Sequence, residues 1–224
     1  MPDEITEAPD ADGTIVVGLV ADPGLCTRVA ETLAGDLPGV LSRQVSNSVE
    51  WNVRLSTDII PLDAYGDLLM IQYARDTMHR EGWHLLVYVT DLPQRVGTRP
   101  VLAEFSVANG AAQISLPAVG WFRLRPNVRD TVVYLVARMI SERLAARGGD
   151  GQMWPGLARL RLAAQVSPVR RIPSADEGID GHLALTGTRG RLRLLFGMVR
   201  DNRPWRLYPA CPGRPPRPRV SPAS

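Results

Sequence analysis

Four polar side chains follow predicted strands and are the best candidates for a binding site. Asp22 follows the apolar run Thr14–Ala21, Thr90 and Asp91 stand at the end of another run, and Arg95 comes shortly afterwards. In open α/β sheets, ligands bind beyond the carboxyl ends of parallel strands. A carboxylate and a guanidinium at such an edge can orient a polar ligand. The alternative is turn chemistry, because Asp before Pro commonly forms an Asx turn.

The sequence contains no recognisable metal, nucleophile or nucleotide motif. His79, His84 and His182 are isolated, without HxxxH or HxH spacing, and isolated His residues are mostly structural. The first turn reads ADPGL rather than a glycine-rich phosphate loop, so a Rossmann or P-loop site is not expected. Cys26 has no evident base and is interpreted as a small core residue. These patterns predict neither a metal nor a cofactor.

Composition favours a cytoplasmic protein. The two Cys residues, Cys26 and Cys211, do not make a disulfide framework, which is typical of a reducing compartment. Residues 1–13 are acidic and lack the basic and apolar regions of a signal peptide. No apolar run reaches the roughly 18 residues that a membrane span needs.

Charge is distributed unevenly along the chain, although the net charge is only +3. All 26 basic residues are Arg, which is typical of a GC-rich genome. Residues 1–150 hold 13 Arg against 19 Asp and Glu, a net charge of −6. Residues 151–224 hold 13 Arg against 4 acidic residues, a net charge of +9. A basic region attached to an acidic domain suggests contact with an anionic surface.

Alternating strand and helix patterns precede and position the candidate residues. β-rich runs and period-two alternation predict strands, whereas apolar residues at spacing four predict helices. Asp63 is expected to cap the second helix and Gly82 to end it. The predicted elements, in order, are a strand over Thr14–Ala21, a helix over Leu25–Leu41, a strand over Val49–Leu55, a helix over Ala64–Glu81 and a strand over Trp83–Thr90.

The next segment predicts an antiparallel hairpin and a long helix. Asn109-Gly110 separates two apolar runs, Val101–Val107 and Ala111–Leu116, which is the signal of a type I′ turn with positive φ at both central residues. Glu104 lies in the first of these strands. Asn127 is expected to cap a helix over Val128–Arg147, which Gly148-Gly149 would end.

These elements predict an α/β fold with a mixed, mainly parallel sheet, an antiparallel hairpin and about three helices, followed by a basic, partly disordered C-terminal region. Pro-rich composition favours disorder at the end of the chain. The expected organisation is a disordered acidic N-terminus over 1–13, an α/β domain over 14–150, a linker over 151–187, a basic amphipathic segment over 188–206 and a disordered Pro- and Arg-rich tail over 207–224.

The basic segment is the candidate membrane-surface element. Its Arg residues are interspersed with large apolar residues, so they could attract anionic headgroups while their stems lie along apolar surface. Packing on the acidic domain is the alternative. Nucleic-acid binding ranks last, because aromatic residues are few there and no reading motif occurs. The candidate membrane-surface residues are Arg189, Arg191, Arg193, Arg200, Arg203 and Arg206.

The order of elements resembles that of archaemetzincin-type metzincin proteases over roughly residues 14–145. YVTDLP at residues 88–93, the hairpin at 105–117 and VRDTVVYLVARMI at 128–140 fall in the family's order. At the positions where the family places the two His and the Glu of HExxH, this chain has Val133, Tyr134 and Ala137. Because the zinc ligands and the general base are replaced, the resemblance implies the architecture without zinc or proteolysis.

Three motifs resemble an uncharacterised group of actinobacterial membrane proteins: VGLVADPG at 17–24, EGWHLLVYVTDLP at 81–93 and RGRLRLLFGMVRDNRPWRL at 189–207. In that group the last motif leads into transmembrane helices. Some members are described as methylene-tetrahydrofolate dehydrogenases, a family with a catalytic Lys, whereas this chain contains no Lys. After Leu207 the sequence departs from the group, and a frameshifted or truncated end is expected there, with a genuine disordered tail as the alternative.

Together, these observations predict a non-catalytic cytoplasmic domain of a membrane-associated protein, with the inner face of the cell membrane as its expected location. The alternative is an enzyme, either a folate-type oxidoreductase or a divergent metzincin-like hydrolase, with its pocket at the carboxyl ends of the strands. The sequence identifies no small-molecule ligand.

Overall fold

The computed structural model describes residues 13–61, 69–96, 99–120, 123–146, 169–172 and 180–185. These ranges contain eight strands and five helices. The elements are β1 Thr14–Ala21, α1 Leu25–Ala34, α2 Leu37–Gln44, β2 Glu50–Thr57, α3 Met70–Glu81, β3 Leu85–Thr90, β4 Gln94–Val96, β5 Arg99–Ser106, β6 Ala111–Ser115, α4 Leu116–Val119, α5 Leu124–Ala146, β7 Val169–Ile172 and β8 Gly181–Leu185.

All eight strands belong to one mixed sheet, so the predicted α/β fold class is confirmed. The strand order is β2-β1-β3-β6-β5-β8-β7, and β4 pairs with β5 beside this path. β2, β1, β3 and β6 are mutually parallel, whereas β5, β8 and β7 continue the sheet by antiparallel pairing. The parallel strands therefore direct their carboxyl ends toward the same edge.

The apolar composition of β1 and β3 follows from their central place in the sheet. Every residue of β3 is buried, as are Val17–Ala21 of β1. A central parallel strand is covered on both faces, so its sequence reads as a nearly continuous apolar run. The main core lies on the face covered by α1, α2 and α5, and a smaller core lies under α3.

The hairpin between β5 and β6 is confirmed, but its predicted turn type is wrong. Ser106 pairs with Ala111, so four residues make the connection, and Gly110 N–H donates to Val107 O at 3.2 Å. Gly110 has a φ of +62°, whereas Asn109 is not among the residues with positive φ. Asn109 instead directs its backbone and side-chain N–H groups to Ser106 Oγ, at 3.3 and 2.8 Å. This local bonding replaces the two-residue type I′ turn.

Arg143 of α5 fixes this turn to the rest of the domain. Its guanidinium donates to three backbone carbonyls, Val107 O at 2.8 Å, Ala108 O at 3.2 Å and His84 O at 3.3 Å. A Cβ added to Gly110 would overlap the guanidinium. The glycine therefore serves both the positive φ and the close approach of Arg143.

The helix expected over Leu25–Leu41 is two helices, α1 and α2. The break falls at Gly35 and Asp36, and Pro38 occupies the first turn of α2. A proline ring clashes with the carbonyl four residues earlier, so α1 cannot continue through this position, whereas Pro is accepted in the first turn of a new helix. Spacing-four apolar residues persist across the break, which is why the pattern predicted one helix.

The predicted end of α3 is confirmed and its predicted start is wrong. Gly82 has left-handed φ and ψ of 64° and 36°, and its N–H bonds to Met78 O. The helix begins at Met70, and Leu69 is its N-cap residue. Asp63, the predicted cap, lies outside the described residues.

Helix α5 begins earlier than expected. It starts at Leu124, and Asn127, the predicted cap, lies inside it with its N–H donating to Arg123 O at 3.0 Å. Pro126 does not prevent this start, because N–H groups of the first turn have no partner within the helix. Of the three positions that replace the metzincin HExxH residues, Val133 and Ala137 are buried and Tyr134 packs partly buried against the same core.

The region expected to be a linker, 151–187, contains two strands. β8 pairs antiparallel with the outer edge of β5, and β7 pairs with β8. Asp180 reinforces the junction, since its N–H donates to Phe105 O at 2.9 Å and its Oδ2 accepts from Val107 N–H. The linker prediction is therefore corrected at these positions. Both strands are short and are flanked by polar residues, so the periodicity of the sequence did not predict their pairing.

Several predictions fall outside the described ranges. They are the N-terminus over residues 1–12, the Gly148-Gly149 helix end, the basic segment over 188–206 and the tail over 207–224. Among the helices in the described ranges, none combines the length and apolar character required to cross a bilayer.

Candidate functional site

The carboxyl edge of the parallel strands brings three of the four predicted site residues together. β1 and β3 are adjacent and parallel, with Ala21 paired to Val89, so the residues that follow them converge. Asp22 N–H extends this pairing by donating to Val89 O at 3.0 Å. Asp22, Thr90 and Asp91 thereby form one group, which we call the Asp22 cluster.

The Asp22 carboxylate is buried and accepts three hydrogen bonds within this cluster. Asp22 is 6 % exposed. Its Oδ1 accepts from the Tyr88 hydroxyl, and its Oδ2 accepts from Thr90 Oγ1 at 2.7 Å and Asp91 N–H at 3.0 Å. A buried carboxylate is stable when hydrogen bonds of this kind replace its hydration. The predicted residues are thus joined to one another by bonds that hold β1 to β3.

The turn after β3 is organised by the same residues. Thr90 Oγ1 also accepts from Leu92 N–H at 3.1 Å, and Ser115 at the end of β6 donates to Leu92 O at 2.8 Å. On the other side, Thr27 donates to Asp22 O through its N–H at 3.1 Å and through its hydroxyl at 2.8 Å. Side-chain oxygens therefore close the loops after β1 and β3, which agrees with the turn interpretation of these residues.

Arg95, the fourth predicted site residue, lies on β4 with an exposed side chain. Its backbone register pairs it with Pro100 of β5. The structure shows no bond between Arg95 and the Asp22 cluster within the described residues. Arg95 belongs to the short strand β4, which pairs antiparallel with β5. This strand was not predicted, because its three residues give no periodic signal.

A second carboxylate lies beside the cluster, after β2. Asp58 N–H donates to Ala21 O at 3.2 Å, and Asp58 Oδ2 accepts from the Tyr73 hydroxyl of α3 at 2.8 Å. Ile60 N–H contacts the Tyr88 hydroxyl oxygen at 3.4 Å. The two tyrosines therefore connect the loop after β2 to α3 and to β3.

Both tyrosines are held in their protonated form. Burial, followed by the hydrogen bond to Asp58, raises the pKa of Tyr73 to about 12. Burial also raises the pKa of Tyr88, with the hydrogen bond to Asp22 as the second cause. In each case a phenolate would be desolvated and would face a carboxylate, and both effects disfavour the charged form.

Stability should fall at alkaline pH because of these two groups. The pKa of Tyr73 in the folded chain, about 12, lies above its ordinary value of 10.0. The stabilisation is therefore complete below pH 10 and is lost as the pH rises through 12. We expect Tyr73→Phe to remove a late component from the absorbance titration of the phenolates, and Asp58→Asn to shift that component to lower pH. An unchanged titration in both variants would contradict the Tyr73–Asp58 bond.

A third polar group, which sequence analysis did not identify, lies on the antiparallel side of the sheet. Gln113 Nε2 donates to Glu104 Oε2 at 2.6 Å, and His182 Nδ1 lies 3.0 Å from Glu104 Oε1. Glu104 pairs in register with both Gln113 and His182. We call these three residues the Glu104 cluster. The feature of the sequence that could have identified this cluster is the presence of polar residues within three otherwise apolar strand sequences, VLAEFS, AAQIS and GHLAL.

The other predicted structural residues occupy ordinary places. His84 Nδ1 accepts from Val16 N–H at 3.0 Å, and His84 N–H donates to Val16 O at 2.9 Å, so the residue extends the β1–β3 pairing. His79 is exposed on the last turn of α3. Cys26 is buried in the main core. In the part of the chain that the structure describes, no group of three His, Cys, Asp or Glu side chains could hold a metal ion.

Comparisons with protein-family models, with curated proteins and with solved structures find no match to this chain.

Proposed function

We propose that this chain is a non-catalytic α/β domain of a membrane-associated protein, which a basic amphipathic segment brings to the anionic inner face of the membrane. The observation that carries the proposal is the sequence of residues 188–206, which combines six Arg with Leu, Phe, Met and Val. That segment lies outside the described residues, so the argument for it rests on composition and charge.

Charge and apolarity act together in such a segment. Each Arg near an anionic surface contributes about 1 kcal/mol, and the attraction falls off within a Debye length. Apolar side chains between the Arg residues gain by entering the headgroup region, while the guanidinium groups remain at headgroup depth. The acidic composition of residues 1–150 repels the same surface, so this segment would determine how the domain is oriented.

The geometry of the Asp22 cluster supports the non-catalytic part of the proposal. A carboxylate that acts on a substrate must reach it, whereas the Asp22 carboxylate is buried and already accepts bonds from Tyr88, Thr90 and Asp91. Its bonds join strands of the sheet. The alternative, an enzyme with its site at this edge, would need those bonds to break before Asp22 could act.

Vesicle co-sedimentation tests the membrane part of the proposal. We expect the full chain to sediment with vesicles that contain anionic phosphatidylserine more than with neutral phosphatidylcholine vesicles, and added salt to weaken the binding by screening. A chain truncated before Thr188 should lose the preference. Equal sedimentation of the two chains, or no sedimentation of either, would contradict the proposal.

A further inference from the structure

Strand β2 forms one edge of the sheet and is open on its outer side. Among the described strands, β1 alone pairs with it, without a register shift over all eight residues. Its sequence, EWNVRLST, contains neither Pro nor Gly. Edge strands are usually short, interrupted or strongly charged, which prevents them from pairing with another chain. The opposite edge follows this rule, since β7 has only four residues, VRRI, two of them consecutive Arg.

The backbone of β2 offers a regular row of hydrogen-bonding groups at this edge. Glu50 N–H donates to Gly13 O at 3.1 Å at one end of the β1–β2 pairing. Asp58 N–H donates to Ala21 O at 3.2 Å just beyond the other end. Bonding to one neighbour alternates along a strand, so the even-numbered residues bond to β1 and the odd-numbered residues direct their N–H and C=O groups outward. The outward residues are Trp51, Val53, Leu55 and Thr57.

Exposed apolar side chains gather near the carboxyl end of β2. In the described ranges, three large apolar side chains are exposed: Leu55 by 37 %, Ile59 by 66 % and Leu69 by 37 %. Leu55 belongs to β2, and Ile59 follows the strand closely. Leu69 N–H donates to Pro61 O at 3.0 Å, so Leu69 lies against the segment that continues from Ile59. Apolar residues that are exposed together in this way are typical of an interaction surface.

We propose that β2 pairs antiparallel with β2 of a second copy of this chain, around a two-fold axis at Asn52. In this register Trp51 lies opposite Val53 of the second copy, and the two residues exchange N–H···O bonds through their outward groups. Glu50 lies opposite Arg54 of the second copy, in a pair without backbone bonds, where side chains approach most closely. The two-fold axis repeats both contacts, as an isologous interface requires. This interface is independent of the proposed membrane-binding segment.

Charge complementarity selects this register over its neighbours. Glu50 and Arg54 are both exposed at the edge. A slip of one residue would set the apolar face of one copy against the polar face of the other. A slip of two residues would place the two charges opposite Asn52, Ser48 or Ser56, and a slip of four would place like charges opposite each other. Of these registers, only the one centred on Asn52 pairs opposite charges, and it does so twice.

Sedimentation equilibrium of the intact chain, at concentrations up to about 1 mM, tests the pairing. We expect a dimer that dissociates on dilution, because a single strand pair is small compared with a standard interface of about 1,600 Å². Glu50→Arg and Arg54→Glu should each weaken dimerisation roughly tenfold or more, since each variant places like charges opposite each other twice. Glu31→Arg, at an exposed position of α1, changes the net charge as Glu50→Arg does and should leave dimerisation unchanged.

Exchange of the two charges makes the test specific to this register. A double variant that carries Glu50→Arg and Arg54→Glu should dimerise like the wild type, and an equimolar mixture of the two single variants should form heterodimers, because both combinations restore two pairs of opposite charges. Circular dichroism verifies that each variant is folded, as the exposure of both positions leads us to expect. A chain that remains monomeric up to the highest concentration would overturn the proposal. A dimer that neither single variant weakens, or a loss that neither combination restores, would also overturn it.

Discussion

Asp22→Ala should lower the free energy of unfolding by roughly 3–5 kcal/mol, the largest effect expected of any polar substitution in the domain. The change leaves the Tyr88 hydroxyl, the Thr90 hydroxyl and the Asp91 N–H without their common acceptor. Each buried donor without a partner costs about 1–3 kcal/mol, and relaxation recovers part of that cost. Urea unfolding of the isolated chain, monitored by circular dichroism, measures the loss.

Two further variants separate the bonds of Asp22 from its volume and charge. Asp22→Asn keeps the shape but places an amide N–H₂ against a donor, so it should destabilise by less than the Ala variant, about 1–3 kcal/mol. Asp36→Ala removes an exposed carboxylate that makes no side-chain cap bond, and it should change stability by less than about 0.5 kcal/mol. If Asp22→Ala were as mild as Asp36→Ala, the carboxylate would not hold the sheet edge together, and a ligand-binding role for it would become the better explanation.

The second large effect is expected at Gly18, in the middle of β1. A Cβ at this position would overlap the six-membered ring of Trp83, which packs against the small core under α3. The glycine is therefore required by the close approach of the indole and not by a positive φ. Gly18→Val should destabilise by about 3 kcal/mol, because a rigid ring beside a central strand has little room to move.

Matched substitutions identify the indole as the cause. Gly35→Ala, where an added Cβ meets nothing within 4 Å and φ is −69°, should leave stability unchanged or slightly raised. Combining Gly18→Val with Trp83→Leu should recover part of the loss, because the smaller side chain vacates the space that the valine needs. If the double variant lost more free energy of unfolding than the two single variants lose together, the packing explanation would be contradicted. Thermal or urea unfolding of the wild-type chain and of the four variants provides the comparison.

The sequence predicts the central elements well because burial there leaves a regular pattern. β1 matches its predicted bounds, and Gly82 ends α3 as its position after an apolar-periodic helix indicates. The hairpin was predicted from Asn109-Gly110, although the detailed turn also depends on the neighbouring Ser106 hydroxyl and on Arg143, which comes from the distant helix α5. Local signals therefore give element type, whereas some of the bonds that decide turn geometry, such as those of Arg143, come from elsewhere in the chain.

The errors arise where tertiary pairing decides the structure. β8 consists of five residues after a polar stretch, and its pairing with β5 cannot be read from a single strand. Because β8 pairs with β5, His182, which is isolated in the sequence, lies beside Glu104 in the structure. The Asp22 cluster was predicted from the rule that ligand-binding residues follow parallel strands, and the residues do converge. The rule does not say that these side chains are already bonded to one another.

The membrane proposal is tested most directly by neutralising matched sets of three Arg residues and measuring vesicle binding. Arg189, Arg191 and Arg193 become Gln in one variant, and Arg214, Arg217 and Arg219 of the Pro-rich tail become Gln in the other, so both lose the same charge. We expect the first variant to lose most of its binding to phosphatidylserine-containing vesicles, and the second to retain most of it, because only the first set is interspersed with apolar residues. Equal losses in the two variants would show a response to net charge alone and would contradict a specific membrane-binding segment.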